Sequence, residues 1–183
     1  MRPLFSVFNV LALVLLGLSA LSLRMVQQPP ATPKAPRLEL AQLESRKVTL
    51  YFSDAQVRGY VRSSRDVQVA QGTPLALAQA AVNAWAGGPG DKPGSAVAVL
   101  PKGSAAPTVW LRGDHFVVDL PQAYTNLNYG VSGERMLLCT LTRTLLEQRG
   151  KDVMFLVGGR NADTLLGHAD LHAPYAREDC SDE

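Results

Sequence analysis

Leu4 to Leu23 (LFSVFNVLALVLLGLSALSL) is a run of twenty residues without a charge, bracketed by Arg2 and Arg24. At ~1.5 Å rise per residue, such a run spans about 30 Å as a helix, the thickness of a bilayer's hydrocarbon core. The pattern therefore predicts a transmembrane helix within residues 1–24. The run is longer than the ~7–15 residues of a cleaved signal's apolar stretch and points to a retained single span. Ala20 and Ser22 nevertheless supply the small pair that cleavage and secretion would use. No cysteine stands just behind the run, so a lipoprotein-type acyl anchor is not expected. Met25 to Pro36 (MVQQPPATPKAP) holds four prolines in twelve residues. Proline fixes φ and extends its neighbours, so this is a semi-rigid spacer. Arg37 to Lys47 prolongs it or adds a short helix, giving a stalk over residues 25–46.

The pattern then changes to that of a folded body. Lys47 to Ser53 alternates Val48, Leu50 and Phe52 with Thr49 and Tyr51, the period of a strand. Val57 to Val69 is mixed and polar, an extended connection with some strand. Thr73-Pro74 caps and opens a helix that Gly87-Gly88-Pro89 stops. Leu75, Ala78 or Gln79, Val82 and Trp85 or Ala86 form its inward stripe. Ala96 to Leu100 is a candidate short strand. Thr108–Leu111 and His115–Leu120 flank Arg112-Gly113-Asp114 and read as a hairpin. Ser132 is positioned to cap a long helix with Glu134 in its first turn and Leu137, Leu138, Leu141 and Leu145 as its stripe. Asp152 to Val157 is dense enough in apolar residues for a strand buried on both faces. Asp163 to Arg177 closes the fold as ordered loop. This order predicts a compact α+β or α/β sandwich, a mixed sheet carrying two main helices.

Composition narrows the function classes. The chain has 18 Lys and Arg against 16 Asp and Glu. The excess of two is Arg2 and Arg24, so the remainder is balanced and has no electrostatic footprint for nucleic acid. A 46% hydrophobic, 19% charged chain is not disordered, and its 183 residues accommodate one domain and an appendage. Two cysteines are too few for a disulfide scaffold or a zinc framework.

The candidate chemistry fails on number or spacing. His168 and His172 are four apart, but Gly167 and Pro174 argue against a helix, and no H-E-x-x-H motif is present. No metal or cofactor is expected. Cys139 lies mid-helix, away from the backbone donors a thiol nucleophile needs. Cys180 lies in an acidic tail, residues 178–183, that disfavours its thiolate. A Cys139–Cys180 disulfide and two free thiols are equally compatible with the sequence. Gly158-Gly159-Arg160-Asn161 lacks the G-K-[ST] ending of a phosphate loop and reads as a turn. Asp119 and Asp170 would have to converge to act as an acid–base pair, and spacing alone does not bring them together. No catalytic residue stands out.

Several stretches together resemble the GerMN domain of sporulation and spore-germination proteins. They are Val48 to Phe52, the Leu75–Pro89 helix with its Gly-Gly-Pro ending, Leu100-Pro101, Phe116 to Leu120, Gly130 to Glu134 and Thr140-Leu141-Thr142. Val153 to Gly159, the run Thr164 to Leu171, and Arg177 complete the likeness, which covers residues 47–177. The resemblance implies an exported α/β domain, built like the ring-forming modules of secretion machinery and tethered to the membrane. It implies a non-enzymatic scaffold or adaptor with protein partners in the envelope or with itself, facing the cell wall. That orientation opposes the charge rule, because Arg24, Lys34 and Arg37 follow the span and Arg2 alone precedes it. His168, Asp170 and Arg177, polar residues in an ordered loop, either lock the loop onto the sheet or present a contact surface. Two other readings compete. A peptidoglycan- or glycan-binding domain would want an aromatic platform, and Tyr124, Tyr129 and Tyr175 are scattered. A cell-wall hydrolase would want converging carboxylates or a Cys–His pair.

Overall fold

The computed structural model describes residues 7–26, 43–70, 72–91 and 94–181. The chain divides into two units, Met1–Leu40 and Ala41–Glu183. In the first, α1 (Val7–Val26) is one uninterrupted helix. Its residues Val7–Met25, with a mean hydropathy of 2.0, are long and apolar enough to cross a membrane. The proline-rich stalk expected over residues 25–46 falls largely outside the described residues.

The second unit begins with β1 (Glu44–Ser53), which pairs antiparallel with β2 (Tyr60–Val69). β1 starts three residues before the alternation expected from Lys47. Val48, Leu50 and Phe52 are buried on its inner face, as their period requires. β2 is a full ten-residue strand where the sequence predicts an extended connection with some strand. Its inner face includes Ser63 and Arg65 opposite Leu50 and Val48, which hides the alternation. Arg65 is inward for a reason: its guanidinium donates to the Ala84 carbonyl at 3.0 Å and the Gly88 carbonyl at 2.8 Å. Those carbonyls lie at the end of α2 (Pro74–Ala86), where orphan acceptors and the helix dipole favour a cation. Thr73 caps the other end, its hydroxyl accepting from the Ala76 N–H at 3.2 Å. Ala78, Ala81, Val82, Trp85 and Ala86 are buried, whereas Leu75 sits in the first turn and is 39% exposed. The short strand expected over Ala96–Leu100 is reduced to Val97, which exchanges two backbone hydrogen bonds with Ser53.

β3 (Thr108–Arg112) and β4 (His115–Leu120) form the expected hairpin, with Gly113 at φ +66° in its two-residue turn. β4 also pairs in parallel with β5 (Asp152–Val157), giving the order β3-β4-β5. A parallel pair needs a crossover, and α3 (Val131–Leu146) supplies it. α3 begins before Ser132: Gly130 occupies the cap position and no side chain bonds there, so the expected Ser132 cap is replaced by an uncapped first turn. β5 was expected to be buried on both faces. Only Val153, Phe155 and Val157 are buried, and Met154 is exposed on the opposite side. The mixed α+β build is as the sequence predicts, with the strands in two sheets of two and three.

The helices join the sheets. α2 contacts β1, β2 and β3, while α3 contacts β1 and β5. Leu137, Leu138, Leu141 and Leu145 are fully buried in the shared core. Two polar links fix the helix positions: the Trp85 indole N–H donates to Thr140 Oγ1 at 3.2 Å, and the Tyr51 backbone N–H to Thr144 Oγ1 at 3.0 Å. After α3, Arg149 turns the chain at φ +69°, and Gly150 passes directly over the Phe116 ring, where a Cβ would overlap ring carbons. Gly150→Ala is expected to destabilise the fold by about 1–3 kcal/mol. Thermal melting would show this as a midpoint about 5 °C or more lower; an unchanged midpoint would mean that Phe116 moves aside freely.

Candidate functional site

The segment after β5 turns at Gly158 and Gly159, both at positive φ, as a two-residue hairpin turn requires. Asp119 Oδ1 accepts from the Gly159 N–H at 2.7 Å. This is the turn the sequence predicts, and it engages the first of the two carboxylates weighed as an acid–base pair.

The loop from Asp163 to Leu171 folds back on itself. The Leu171 N–H donates to the Asp163 carbonyl at 2.9 Å, and the Gly167 N–H donates to Thr164 Oγ1 at 3.1 Å. Leu165 and Leu171 are buried in the core. Such a loop leaves inward N–H groups that no strand can pair. Glu134 supplies the acceptors. Its side chain is fully buried; Oε1 accepts from Leu165 N at 3.1 Å and Leu166 N at 2.8 Å, and Oε2 from His168 N at 3.0 Å. Three charge-assisted bonds are what make a buried carboxylate tolerable. Sequence reading placed Glu134 at a helix N-terminus and gave it no partner. The missed signal is positional: 134, 138, 141 and 145 lie on one helical stripe, so Glu134 is an acid on the inward face.

The loop's end is fastened separately. Cys139 and Cys180 form a disulfide with Cα atoms 5.2 Å apart, and both residues are buried. Arg143 Nη1 donates to the Cys180 carbonyl at 3.1 Å, and the guanidinium lies 4.3 Å from the Tyr60 ring centroid and 5.1 Å from that of Tyr51. Burial pushes the Tyr175 phenol up to about 12, with Glu134, Asp170 and Asp179 adding to it. The phenol therefore remains a donor, to the Asp170 carbonyl at 2.8 Å, and its ring meets Phe155 edge-on at 5.4 Å.

His168, Asp170 and Arg177 have separate partners. His168 is held through its backbone N–H by Glu134, and its side chain is on the exposed surface. Asp170 Oδ1 accepts from the His172 backbone N–H at 2.8 Å and faces the His172 ring Nδ1 at 2.7 Å. Arg177 reaches Glu147 at 3.5 Å, where the Tyr51 hydroxyl also donates at 2.9 Å. His168 and Asp170 line two adjoining shallow clefts of about 260 and 240 Å³ that share Tyr175 and Asp179; Arg177 lines neither. His172 does not join His168. It sits between Asp170 and Asp163, whose Oδ1 is 3.1 Å from Nε2. Among the described residues no three His, Cys, Asp or Glu side chains are grouped to hold a metal ion.

A second surface was not foreseen. On the solvent face of the three-stranded sheet, Trp110, Val117 and Met154 stand in one cross-strand row. Trp110 is 45% and Met154 36% exposed. The rows on either side are Thr108–Asp119–Leu156 and Arg112–His115–Asp152. A third feature is an apolar cleft of about 170 Å³ between Val57, Val97, Tyr129 and Met136. Val57 borders it at φ +57°, a left-handed conformation that is strained for a β-branched residue.

This is a small α+β domain whose C-terminal loop is sealed onto one helix by a carboxylate and a disulfide. Residues 49–163 match the family model Germane, described as sporulation and spore germination, and the chain belongs to that family. Solved structures carry the same fold. The first GerMN domain of the Bacillus subtilis sporulation protein GerM aligns with a TM-score of 0.55 at 19% identity, over 73% of this chain and 98% of that one. The tandem GerMN domains of GerM align at 0.50 and 18%, over 81% of this chain and 49% of theirs. A Clostridium perfringens protein provisionally named a lipoprotein aligns at 0.53 and 24%, over 74% and 89%. No curated protein matches the chain.

Two measurements check the loop's fastening. Glu134→Ala leaves three N–H groups without an acceptor, and a loss of about 3 kcal/mol or more is expected. Glu134→Gln, which turns an N–H₂ toward one of those donors, should cost about 1–3 kcal/mol. In both, amide exchange at Leu165, Leu166 and His168 should accelerate before that of α3; unchanged protection would show that the carboxylate is dispensable. The second measurement is an NMR titration. The side-chain bond and charge of Asp170, then the charge of Asp163, raise the His172 pKa above its ordinary value. The His172 N–H, then its ring, lower that of Asp170. A raised histidine stabilises fully below its unfolded value and ceases to do so as pH rises through the folded one; a depressed aspartate stabilises above its unfolded value. The pair therefore contributes fully between about pH 4 and 6.5. His172 should titrate above ~6.5, and Asp170→Asn should lower its midpoint; coincident midpoints would mean the clamp is open in solution.

Proposed function

We propose that this chain is a membrane-tethered, non-enzymatic interaction module of the cell envelope, of the type used in sporulation and germination complexes. In this reading α1 remains as a single span and the body faces the extracytoplasmic side. The carrying observation is the buried Cys139–Cys180 disulfide. Disulfides persist in oxidising compartments and are rare in the cytosol, so the bond supports export where the charges flanking α1 argue against it. The GerM and lipoprotein folds support the same setting. The non-enzymatic reading rests on engagement of the candidate groups: Asp119 holds a turn, Asp170 and Asp163 hold His172, and His115 lies 2.8 Å from Asp152 and 3.1 Å from Asp114. His168, Asp170 and Arg177 belong, on this view, to the apparatus that holds the loop in shape.

One observation favours a second reading, a glycan-binding face. Trp110 with Val117 and Met154 offers an apolar strip bordered by Asp119, Asp152 and Arg112, the mixture of flat aromatic and polar groups that a sugar ring engages.

Protease added to spheroplasts is expected to digest residues 43–181 and spare α1, and crosslinking in the same cells to capture an envelope protein. Protection of the body from external protease would overturn the proposal. Purified sacculi separate the second reading: retention that Trp110→Ala reduces at least tenfold supports glycan binding, and no retention removes it.

A further inference from the structure

Among the described residues the outer edges of β1, β3 and β5 are each met at one or more positions, and the outer edge of β2 is not paired. The outer edge of β1 is met by Val97, which bonds to Ser53, and by Thr144 Oγ1, which accepts from the Tyr51 N–H. The outer edge of β3 is blocked by the Gln79 side-chain amide. It accepts from the Val109 N–H at 2.8 Å and donates to the Pro107 carbonyl at 2.9 Å, standing where a neighbouring strand would. The outer edge of β5 is taken by Tyr175 on Val153 and Arg160 on Val157. β2 has β1 on one side, and no described residue pairs with its other side.

The register tells which groups are open. Tyr51 and Ser53 turn their backbone away from β2, so their partners Arg62 and Tyr60 turn theirs away from β1. Antiparallel pairs alternate, so Arg62, Ser64, Asp66 and Gln68 share that outward set. Arg62, Ser64, Asp66 and Gln68 are all exposed. Arg62, with a side chain 66% exposed, makes one long ion pair of 3.7 Å to Glu147.

We infer that β2 pairs with β2 of a second copy of this chain, antiparallel about a two-fold axis through Ser64. The argument is charge complementarity. About that axis Arg62 faces Asp66 of the other copy and Asp66 faces its Arg62, on the same face of the sheet, with Ser64 opposite Ser64. Sliding the register by one pair in either direction places both charges against uncharged residues, so only the Ser64-centred register pairs them. Opposite charges directly across a ladder favour pairing, and like charges oppose it. Main-chain bonds along an exposed edge then supply the attraction, as in strand-addition complexes, and the product is the continuous sheet β1-β2-β2-β1. An isologous contact of this kind closes at two copies and uses up the β2 edge. The inference rests on the interaction role proposed above and names its partner.

The test uses the full chain in nanodiscs or detergent, with one added cysteine and a short bismaleimide crosslinker. Ser64→Cys lies on the axis and should give a crosslinked dimer. Ser45→Cys is an exposed control that the same geometry places ~25 Å or more from its mate, and it should not crosslink. In the Ser64→Cys background, Arg62→Asp and Asp66→Arg should each lower the dimer yield at least fivefold, and the double exchange should restore it. Circular dichroism checks that each variant is folded; should a single exchange fail to fold, the Ser64 and Ser45 crosslinks still decide. Absence of the Ser64 dimer, equal crosslinking at Ser45, or charge exchanges without effect would each overturn the inference. A chain that does not crosslink to itself yet still captures another envelope protein would overturn this inference alone and leave the proposed function standing.

Discussion

The body of this protein is organised around a buried carboxylate. Glu134 alone on α3 would be too costly to desolvate, and the Asp163–Leu171 loop alone would carry N–H groups with no acceptor. Each removes the other's penalty, through bonds of 2.8–3.1 Å to Leu165, Leu166 and His168. Because the three donors come from nearly consecutive residues, the carboxylate dictates the path of the backbone as well as its position. Leu165 and Leu171 then enter the core, and Tyr175 reaches β5.

α3 is the element on which the other parts converge. Its first turn holds the loop, its middle carries Cys139, Thr140 bonds to Trp85, and Thr144 accepts from β1. Its last turn bears Arg143 against two tyrosine rings, and Glu147 follows at the cap with Tyr51 and Arg177. This explains why a helix with so apolar a stripe also buries Thr140 and Thr144: those inward positions are connectors. α2 plays a narrower part, closing the β3 edge with Gln79 and receiving Arg65 at its end.

Legibility in the sequence followed the purity of local signals. β1, α2, the β3–β4 hairpin and α3 were readable because their apolar periods are uninterrupted and their turns carry Gly or Pro. β2 was obscured because Ser63 and Arg65 stand inside, and Arg65 is inward only to serve carbonyls about twenty residues away. β5 looked buried on both faces because a composition count does not register that Met154 faces solvent. The loop's ordered character was visible in Thr164–Leu171, but its chief determinant was not. Glu134 meets partners more than thirty residues downstream, and the only local trace is an acid on a leucine stripe. The disulfide was undecidable from two cysteines 41 positions apart and became readable once α3 and the tail were seen to meet. Trp110 gave no signal, since alternation marks which residues share a face and leaves open which face is covered.

Cys180 and the donors for Glu134 lie in the stretch that follows β5, and that stretch closes back onto α3, 41 positions upstream of Cys180. Without β5 and this stretch the amino-terminal part of the body cannot reach its final state: α3 would carry an acid with no donors, and β4 would lack its parallel neighbour. Synthesis from the amino end therefore passes through an unfinished intermediate whose core closes late.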